Sequence, residues 1–180
     1  MKIAGLDLET TGIDPTAGHR IIQIGIAFPD KTVTGYDILP EGDINISAEA
    51  LGVNHFTLER IGRATKQSHV DAVLADELKS RGYTPGSIHA IGWNVGSFDL
   101  NFVRMELPKI AGYFSHRCID LTGIAMLKAV IDGGNYRDLK EQYHSLAAQA
   151  LSEEHPQWHD AVWDARAALK VYQMMTEEFR

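Results

Sequence analysis

The first part of the chain has the hydrophobic pattern of β-strands. Strands are predicted at residues 2–9, 22–28 and 31–39. In the second of these, isoleucine or phenylalanine occupies every second position, which predicts a strand with one buried face. The turn at Pro29-Asp30 is so short that the second and third strands are expected to be antiparallel neighbours.

The remainder alternates between strand and helix patterns. Apolar spacing and capping residues predict helices from Ser47, over residues 66–81, from Ser97 to Pro108 on the stripe Phe98, Phe102 and Met105, over 121–131 and 138–151, and from Ala161 to the C-terminus. Short strands are predicted at 88–93 and 117–120. This order predicts an α/β fold with a mixed sheet flanked by helices, in a single domain over residues 1–180.

Composition removes several classes of protein. The 180 residues are 44% hydrophobic and include one cysteine, so a disulfide framework is excluded and a reducing, cytoplasmic location is expected. No apolar run reaches the ~18 residues of a membrane span. The net charge of −7 argues against a protein that coats nucleic acid, but not against an enzyme whose acidic residues bind metal ions.

Two acidic residues interrupt the first predicted strand near its end. Asp7 and Glu9 are two positions apart, so both carboxylates point to the same side, roughly 7 Å apart along the strand. Buried acids on one face repel each other unless a cation lies between them, and their oxygen donors suit Mg²⁺ or Mn²⁺ better than Zn²⁺. A strand end that reaches solvent would explain a lone Asp-x-Glu, but the Thr10-Thr11-Gly12 sequence that follows favours a metal site.

The other candidate residues lie at predicted helix starts. Asp99 is in a first turn, where the helix dipole alone would stabilise an acid. A metal site would require the preceding strand to place Asp99 beside Asp7 and Glu9. His159 and Asp164 are five residues apart, about 140° around a helix at ~100° per residue, so they converge only if His159 lies in the loop before the helix. That placement suits a general base beside a metal ligand.

These segments resemble the three exonuclease motifs of the DEDD superfamily. The matching residues are 7–12 (DLETTG), 94–99 (NVGSFD) and 159–165 (HDAVWDA). A histidine five residues before the last aspartate is typical of the histidine subtype, DEDDh. Residues 18–25 (GHRIIQIG) and 47–57 (SAEALGVNHFT) are similar to the bacterial proofreading branch, the DNA polymerase III epsilon-like exonucleases.

The resemblance implies a fold, a reaction and a set of site residues. It implies a ribonuclease H-like mixed sheet of five strands, and a 3′→5′ exonuclease that releases 5′-mononucleotides from single-stranded DNA or RNA ends. Two divalent ions, Mg²⁺ or Mn²⁺, would be held by Asp7, Glu9, Asp99 and Asp164, with His159 as the general base. Contacts to the terminal nucleotides are expected from Thr10, Thr11, Gly12, Val53, Asn54, His55, Asn94 and Phe98.

Some positions depart from the proofreading branch. That branch usually has Val-His where this chain has Val53-Asn54, and its second motif is one residue shorter than residues 94–99. The longer spacing matches the oligoribonuclease branch, and residues 107–109, 113–117 and 119–120 resemble that branch more weakly. The preference for DNA or RNA is therefore left open.

Alternative interpretations remain open at the level of the sequence. A non-catalytic nucleic-acid or polymerase-associated module could have the same fold, but all five expected catalytic positions are occupied. A structural Ca²⁺ site is less favoured because no Asp-x-Asp-x-Asp-Gly loop occurs. A polymerase or a second copy of the chain could be a partner, and no membrane contact is expected. Trp158 is the best candidate for base stacking, whereas Trp93 is expected in the core.

Overall fold

The strand that contains Asp7 and Glu9 lies in the interior of a six-stranded sheet. The computed structural model describes residues 1–151 and 159–178. Its strands are β1 (Lys2–Thr10), β2 (Ile21–Ala27), β3 (Val33–Leu39), β4 (Thr65–Lys66), β5 (Ile88–Gly92) and β6 (Ile119–Asp120). Its helices are α1 (Ala48–Asn54), α2 (Leu58–Gly62), α3 (Gln67–Ser80), α4 (Asp99–Glu106), α5 (Pro108–Ala111), α6 (Leu121–Asp132), α7 (Tyr136–Ala150) and α8 (Ala161–Glu178).

The sheet is mixed, as the sequence predicts. The strand order is β4-β3-β2-β1-β5-β6. β2 runs antiparallel to β1 and β3, whereas β1, β5 and β6 are mutually parallel and β4 is parallel to β3. The α/β fold with a mixed sheet is confirmed, but the sheet has six strands instead of five. The extra strand, β4, has two residues, which is too short to produce a periodic pattern.

Helices cover both faces of the sheet, which corrects the prediction for β2. All seven residues of this strand are buried, so it has two buried faces instead of one. Ile24 and Ile26 pack into one core cluster with residues of α3 and α4, while Ala27 packs into a second cluster with α8. Gly25 and Ala27 alternate with the isoleucines, and such small residues give little hydrophobic signal. The second buried face therefore cannot be recognised from the hydrophobic pattern.

The start of α4 also differs from the prediction. Ser97 does not cap this helix, because its hydroxyl donates to Asn94 Oδ1 at 2.5 Å and the N-cap residue is Phe98. Met105 is 55% exposed, so it is not part of the buried face. The buried residues of α4 are Asp99, Leu100, Phe102, Val103 and Glu106.

The described helices include none that combines the length and the apolar character needed to cross a membrane. This holds for α8 as well, the longest helix given above, with 18 residues.

Candidate active site

The first two acids lie where β1 leaves the sheet interior. Asp7 is paired with Gly25 and Glu9 with Gln23 on β2, and the register shifts directly after Glu9. The side chains of Asp7 and Glu9 share the face of β1 that also contains Gly5, since side chains alternate along a strand. Gly5 contacts α8 so closely that a Cβ there would lie 2.2 Å from the carbonyl oxygen of Ala165. Asp7 and Glu9 therefore face the beginning of α8.

The third acid is delivered by the neighbouring parallel strand. β5 ends at Gly92 beside β1, and the turn that follows leads to Asp99, the first residue of α4. The turn is anchored by the backbone N–H of Asn94, which donates to Asp120 Oδ1 and Thr122 Oγ1, both at 3.0 Å. Asp99 is 2% exposed. The turn thus places a buried carboxylate at the same edge of the sheet as Asp7 and Glu9.

His159 lies in the loop before α8 and Asp164 in its first turn, as the spacing requires. The backbone N–H of His159 donates to Asp164 Oδ2 at 3.0 Å, and His159 has a left-handed conformation with φ 63°. One ligand atom from each of Glu9, His159 and Asp164 lies within 4.8 Å of the others. The first and third motifs therefore meet in space, although more than 140 residues separate them in the chain.

The loop between His159 and α8 is held by a residue that sequence reasoning did not assign to the site. Gln23 Nε2 donates to Asp160 Oδ2 at 3.0 Å, and Gln23 Oε1 accepts the backbone N–H of Ala161 at 2.8 Å. Asp160 also accepts the N–H groups of Val162 and Trp163, so it caps α8. The sequence did offer one signal for this role, since Gln23 is the one polar residue in an otherwise apolar strand and pairs with Glu9.

Burial makes the four carboxylates harder to ionise, and for Asp7, Glu9 and Asp99 repulsion by other carboxylates of the group adds to it. Burial, followed by repulsion from Asp99 and Asp164, raises the pKa of Asp7 well above its usual range. Burial also raises the pKa of Asp99, against hydrogen bonds from the backbone N–H groups of Asp99 and Leu8. Burial and the charge of Asp164 raise the pKa of Glu9 to about 8, and burial raises that of Asp164 to about 7.

This donor set fits divalent cations with hard oxygen ligands. Four carboxylates share one partly buried region, and a bound cation would offset both the burial and the repulsion that raise their pKa values. His159 adds a nitrogen ligand or a base, and burial lowers the pKa of its imidazole, which favours the neutral form. Asp7, Glu9, Asp99 and Asp164 are thus the residues that could hold Mg²⁺ or Mn²⁺.

The five residues border a cleft of about 640 Å³. Six of the eight predicted substrate contacts also line it: Thr10, Gly12, Val53, Asn54, Asn94 and Phe98. Asn54 is buried, and its side-chain amide donates to the carbonyl of Thr10 at 3.0 Å, so it connects α1 to the end of β1.

Thr11 and His55 lie outside the lining of this cleft. Thr11 is fully buried, with its backbone N–H bonded to the carbonyl of Arg20 and its hydroxyl to that of Asn45. Its donors are therefore committed to the protein, and a direct substrate contact is not supported. His55 is exposed at the C-cap of α1 with φ 59°. Its positive charge would lower the pKa of His159, so it lies near the cleft without lining it.

One wall of the cleft comes from α7, which the sequence did not indicate. Arg137, Lys140, Glu141 and His144 line it, together with Trp93 at the end of β5. Trp93 is half-buried: it packs against the core cluster that includes α8, as expected, and it also borders the cleft. The spacing i, i+3, i+4 and i+7 was a signal for one helix face, but a polar face is more often simply solvated. Trp158 lies outside the described residues.

Comparison with known proteins identifies a family for this chain. The family model described as "Exonuclease" matches residues 4–172. The oligoribonuclease of Vibrio vulnificus is 31% identical over 137 residues, which covers 68% of this chain and 72% of that protein. The DNA polymerase III subunit epsilon of Rickettsia felis is 48% identical over 48 residues, covering 24% of this chain and 21% of that subunit.

The fold is similar to that of solved exonucleases. Escherichia coli exonuclease I in complex with a dT13 oligonucleotide has a TM-score of 0.68 and 18% sequence identity. The match covers 99% of this chain and 41% of the exonuclease I chain, so this chain spans about two-fifths of that protein. The family model and the oligoribonuclease match confirm the resemblance to exonucleases that the three motifs indicate. The chain belongs to the exonuclease family and is a 3′→5′ exonuclease of the DEDD type.

Proposed function

We propose that this protein is a divalent-metal-dependent exonuclease that removes 5′-mononucleotides from the 3′ ends of short single-stranded oligonucleotides. Residues 1–180 would act as one catalytic domain. The observation that carries the proposal is the convergence of Asp7, Glu9, Asp99, His159 and Asp164 on one cleft.

The chemistry follows from the residues at the cleft. Two divalent ions held by the four carboxylates would stabilise the entering and the leaving oxygen of an in-line displacement at phosphorus. A ring nitrogen of His159 accepts the proton of the attacking water. The water oxygen bonds to phosphorus, the bond to the 3′-oxygen of the preceding nucleotide breaks, and that oxygen takes a proton from solvent. The products are a 5′-mononucleotide and a strand shortened by one residue.

The protein's own residues would also position the strand end. Thr10, Gly12 and Asn54 line the cleft next to Glu9, so they are the proposed contacts of the terminal nucleotide. Phe98 and Val53 add apolar surface to the cleft lining, and Val53 is 48% exposed. Aromatic and apolar side chains beside a nucleic-acid site favour unpaired bases, whose flat faces they can contact.

Short RNA is the preferred substrate class in this proposal. Oligoribonucleases match the chain over most of their own length, whereas the epsilon subunits match over about a fifth of theirs. The chain also has a net charge of −7. Without a basic excess, binding outside the active site is expected to be weak, which suits short ends better than long strands.

One assay tests the proposal directly. End-labelled RNA of two to five residues, single-stranded DNA and a duplex with a mismatched 3′ end are compared with Mg²⁺ and with Mn²⁺. We expect mononucleotide release that is fastest on the short RNA and is abolished by EDTA. Asp7→Asn should abolish release while leaving the circular dichroism spectrum unchanged. Full activity of that variant would contradict the metal assignment, and faster cleavage of the mismatched duplex would favour a proofreading-type enzyme.

A further inference from the structure

The α7 wall of the cleft brings positive charge to a site otherwise dominated by acids. Arg137 and Lys140 are one turn apart and both line the cleft, with Glu141 as the acid on the same wall. Arg137 is exposed, whereas Lys140 is half-buried. Lys140 is therefore the cation that lies deeper in the cleft.

Lys140 is close enough to act electrostatically on the reacting groups. Its charge opposes the burial and the carboxylate repulsion that raise the pKa of Asp7, and it opposes the burial of Asp164 in the same way. It also contributes, after burial, to the lowered pKa of His159. Among residues 1–151 and 159–178, Lys140 forms no ion pair within 4.0 Å. Lys140 thus lines the same cleft as the acids and is not neutralised by an ion pair with a described carboxylate.

The ring of Trp93 contacts this ammonium group. Lys140 Nζ lies 5.2 Å from the centroid of the Trp93 ring, within the range of a cation–π contact. The ring of His144 contacts the same tryptophan edge-on, with 5.2 Å between centroids. Since Trp93 follows β5 directly, the contact connects the lysine to the strand that leads to Asp99.

We propose that Lys140 binds a non-bridging oxygen of the scissile phosphate, and that Trp93 is the residue that positions it. The inference rests on the proposed function and adds a phosphate-binding residue to it. An ammonium ion next to four carboxylates would help a phosphodiester, itself an anion, to enter a cleft of the same charge. In the displacement, further negative charge develops on the phosphoryl oxygens, and a fixed ammonium group stabilises it.

The test uses a substrate that contains a single phosphate. The p-nitrophenyl ester of thymidine 5′-monophosphate has only the scissile phosphate, whereas a pentanucleotide also has neighbouring ones. We expect Lys140→Gln to lower kcat/KM roughly 100-fold on both substrates, as loss of one transition-state donor does. Lys140→Arg should recover most of that loss. A loss confined to the pentanucleotide would overturn the proposal, because the lysine would then bind a different phosphate.

Controls separate this role from a structural one. Lys79→Gln removes an exposed lysine on α3 outside the cleft lining and should change neither substrate's kinetics. Trp93→Ala should reproduce part of the Lys140→Gln defect, while adding little to it in the double variant. An additive double variant would contradict the positioning role of Trp93.

A binding measurement keeps the proposal independent of turnover. By calorimetry with Mg²⁺, Lys140→Gln should weaken the affinity for thymidine 5′-monophosphate about tenfold and leave that for thymidine unchanged. Equal affinity of wild type and variant for the monophosphate would overturn the role of Lys140. If the wild type releases no mononucleotide from any substrate, the proposed function fails, and this measurement still decides whether Lys140 binds a phosphate.

Discussion

At the scale of single residues, the environment of His159 supports its assignment as a base. The imidazole lies beside Glu9 and Asp164, and burial followed by the charges of His55 and Lys140 lowers its pKa. A histidine with a lowered pKa is neutral at pH 7 and can accept a proton there. Its left-handed backbone, at φ 63°, is fixed by the hydrogen bond from its N–H to Asp164.

His159→Ala is expected to lower kcat by roughly 10²–10⁴, the usual contribution of a general base, with a smaller change in KM. Steady-state kinetics on the short RNA with saturating Mn²⁺ would measure both constants. His69→Ala, which removes an exposed histidine from α3, is the matched control and should behave as wild type. A loss below tenfold for His159→Ala would assign proton removal to bulk solvent or to another group.

At the scale of elements, the position of α8 on the sheet decides where Asp164 lies. The helix packs on β1 and β2 over glycines, and a Cβ at Gly25 would lie 2.0 Å from the carbonyl oxygen of Ala161 and 2.7 Å from the nitrogen of Val162. A side-chain rotation could not relieve these clashes, because both atoms belong to the backbone. The first turn of α8 can approach Glu9 this closely only because the strand has no side chain at Gly25.

Gly25→Ala should therefore displace the start of α8 and with it the pair His159 and Asp164. We expect a loss of stability of about 1–3 kcal/mol, as for other overpacked sites, together with a fall in kcat larger than the loss of folded protein explains. Denaturant unfolding and activity on the same samples would separate the two effects. Gly123→Ala on α6, where a new Cβ meets no atom within 4 Å, should leave activity unchanged. Wild-type kinetics in Gly25→Ala would contradict this coupling.

At the scale of the whole molecule, the acids of the cleft make stability depend on pH and on metal. The pKa values of Glu9 and Asp164, about 8 and about 7, lie above those of the same groups in the unfolded chain. Between the two sets of pKa values the folded protein holds protons that the unfolded chain releases. The metal-free protein therefore loses stability as the pH rises from about 4 to about 8. Two bound divalent ions would reduce the formal charge from −7 to −3 and offset this loss.

Mn²⁺ should raise the melting temperature more at pH 8 than at pH 6, because protons compete with the metal for the carboxylates. At a metal concentration about 100 times Kd, the rise at pH 8 should be roughly 5–10 °C. Differential scanning fluorimetry in Mn²⁺ and in EDTA would measure it, with Asp164→Asn as the variant that reduces the shift. The same rise in Asp164→Asn as in wild type would place the metal elsewhere.

The sequence could predict the elements and the site only where local rules apply. Strand alternation placed Asp7 and Glu9 on one face, and helix geometry required His159 to precede α8, as observed. The two-residue strand β4 and the second buried face of β2 escaped prediction. The first has too few residues to form a pattern, and in the second the small residues Gly25 and Ala27 do not look like a buried surface until α8 covers them.

By itself, the sequence determined the α/β fold with a mixed sheet and the exonuclease motifs, because both depend on the order and spacing of residues along the chain. Only the tertiary structure decided which further polar groups line the cleft and which of the predicted ones do not. It committed Thr11 to the protein interior, joined Gln23 to the start of α8 and placed Lys140 in the wall of the cleft. The physical reason is that a side chain's partners across elements depend on how those elements pack, and no local spacing records that packing.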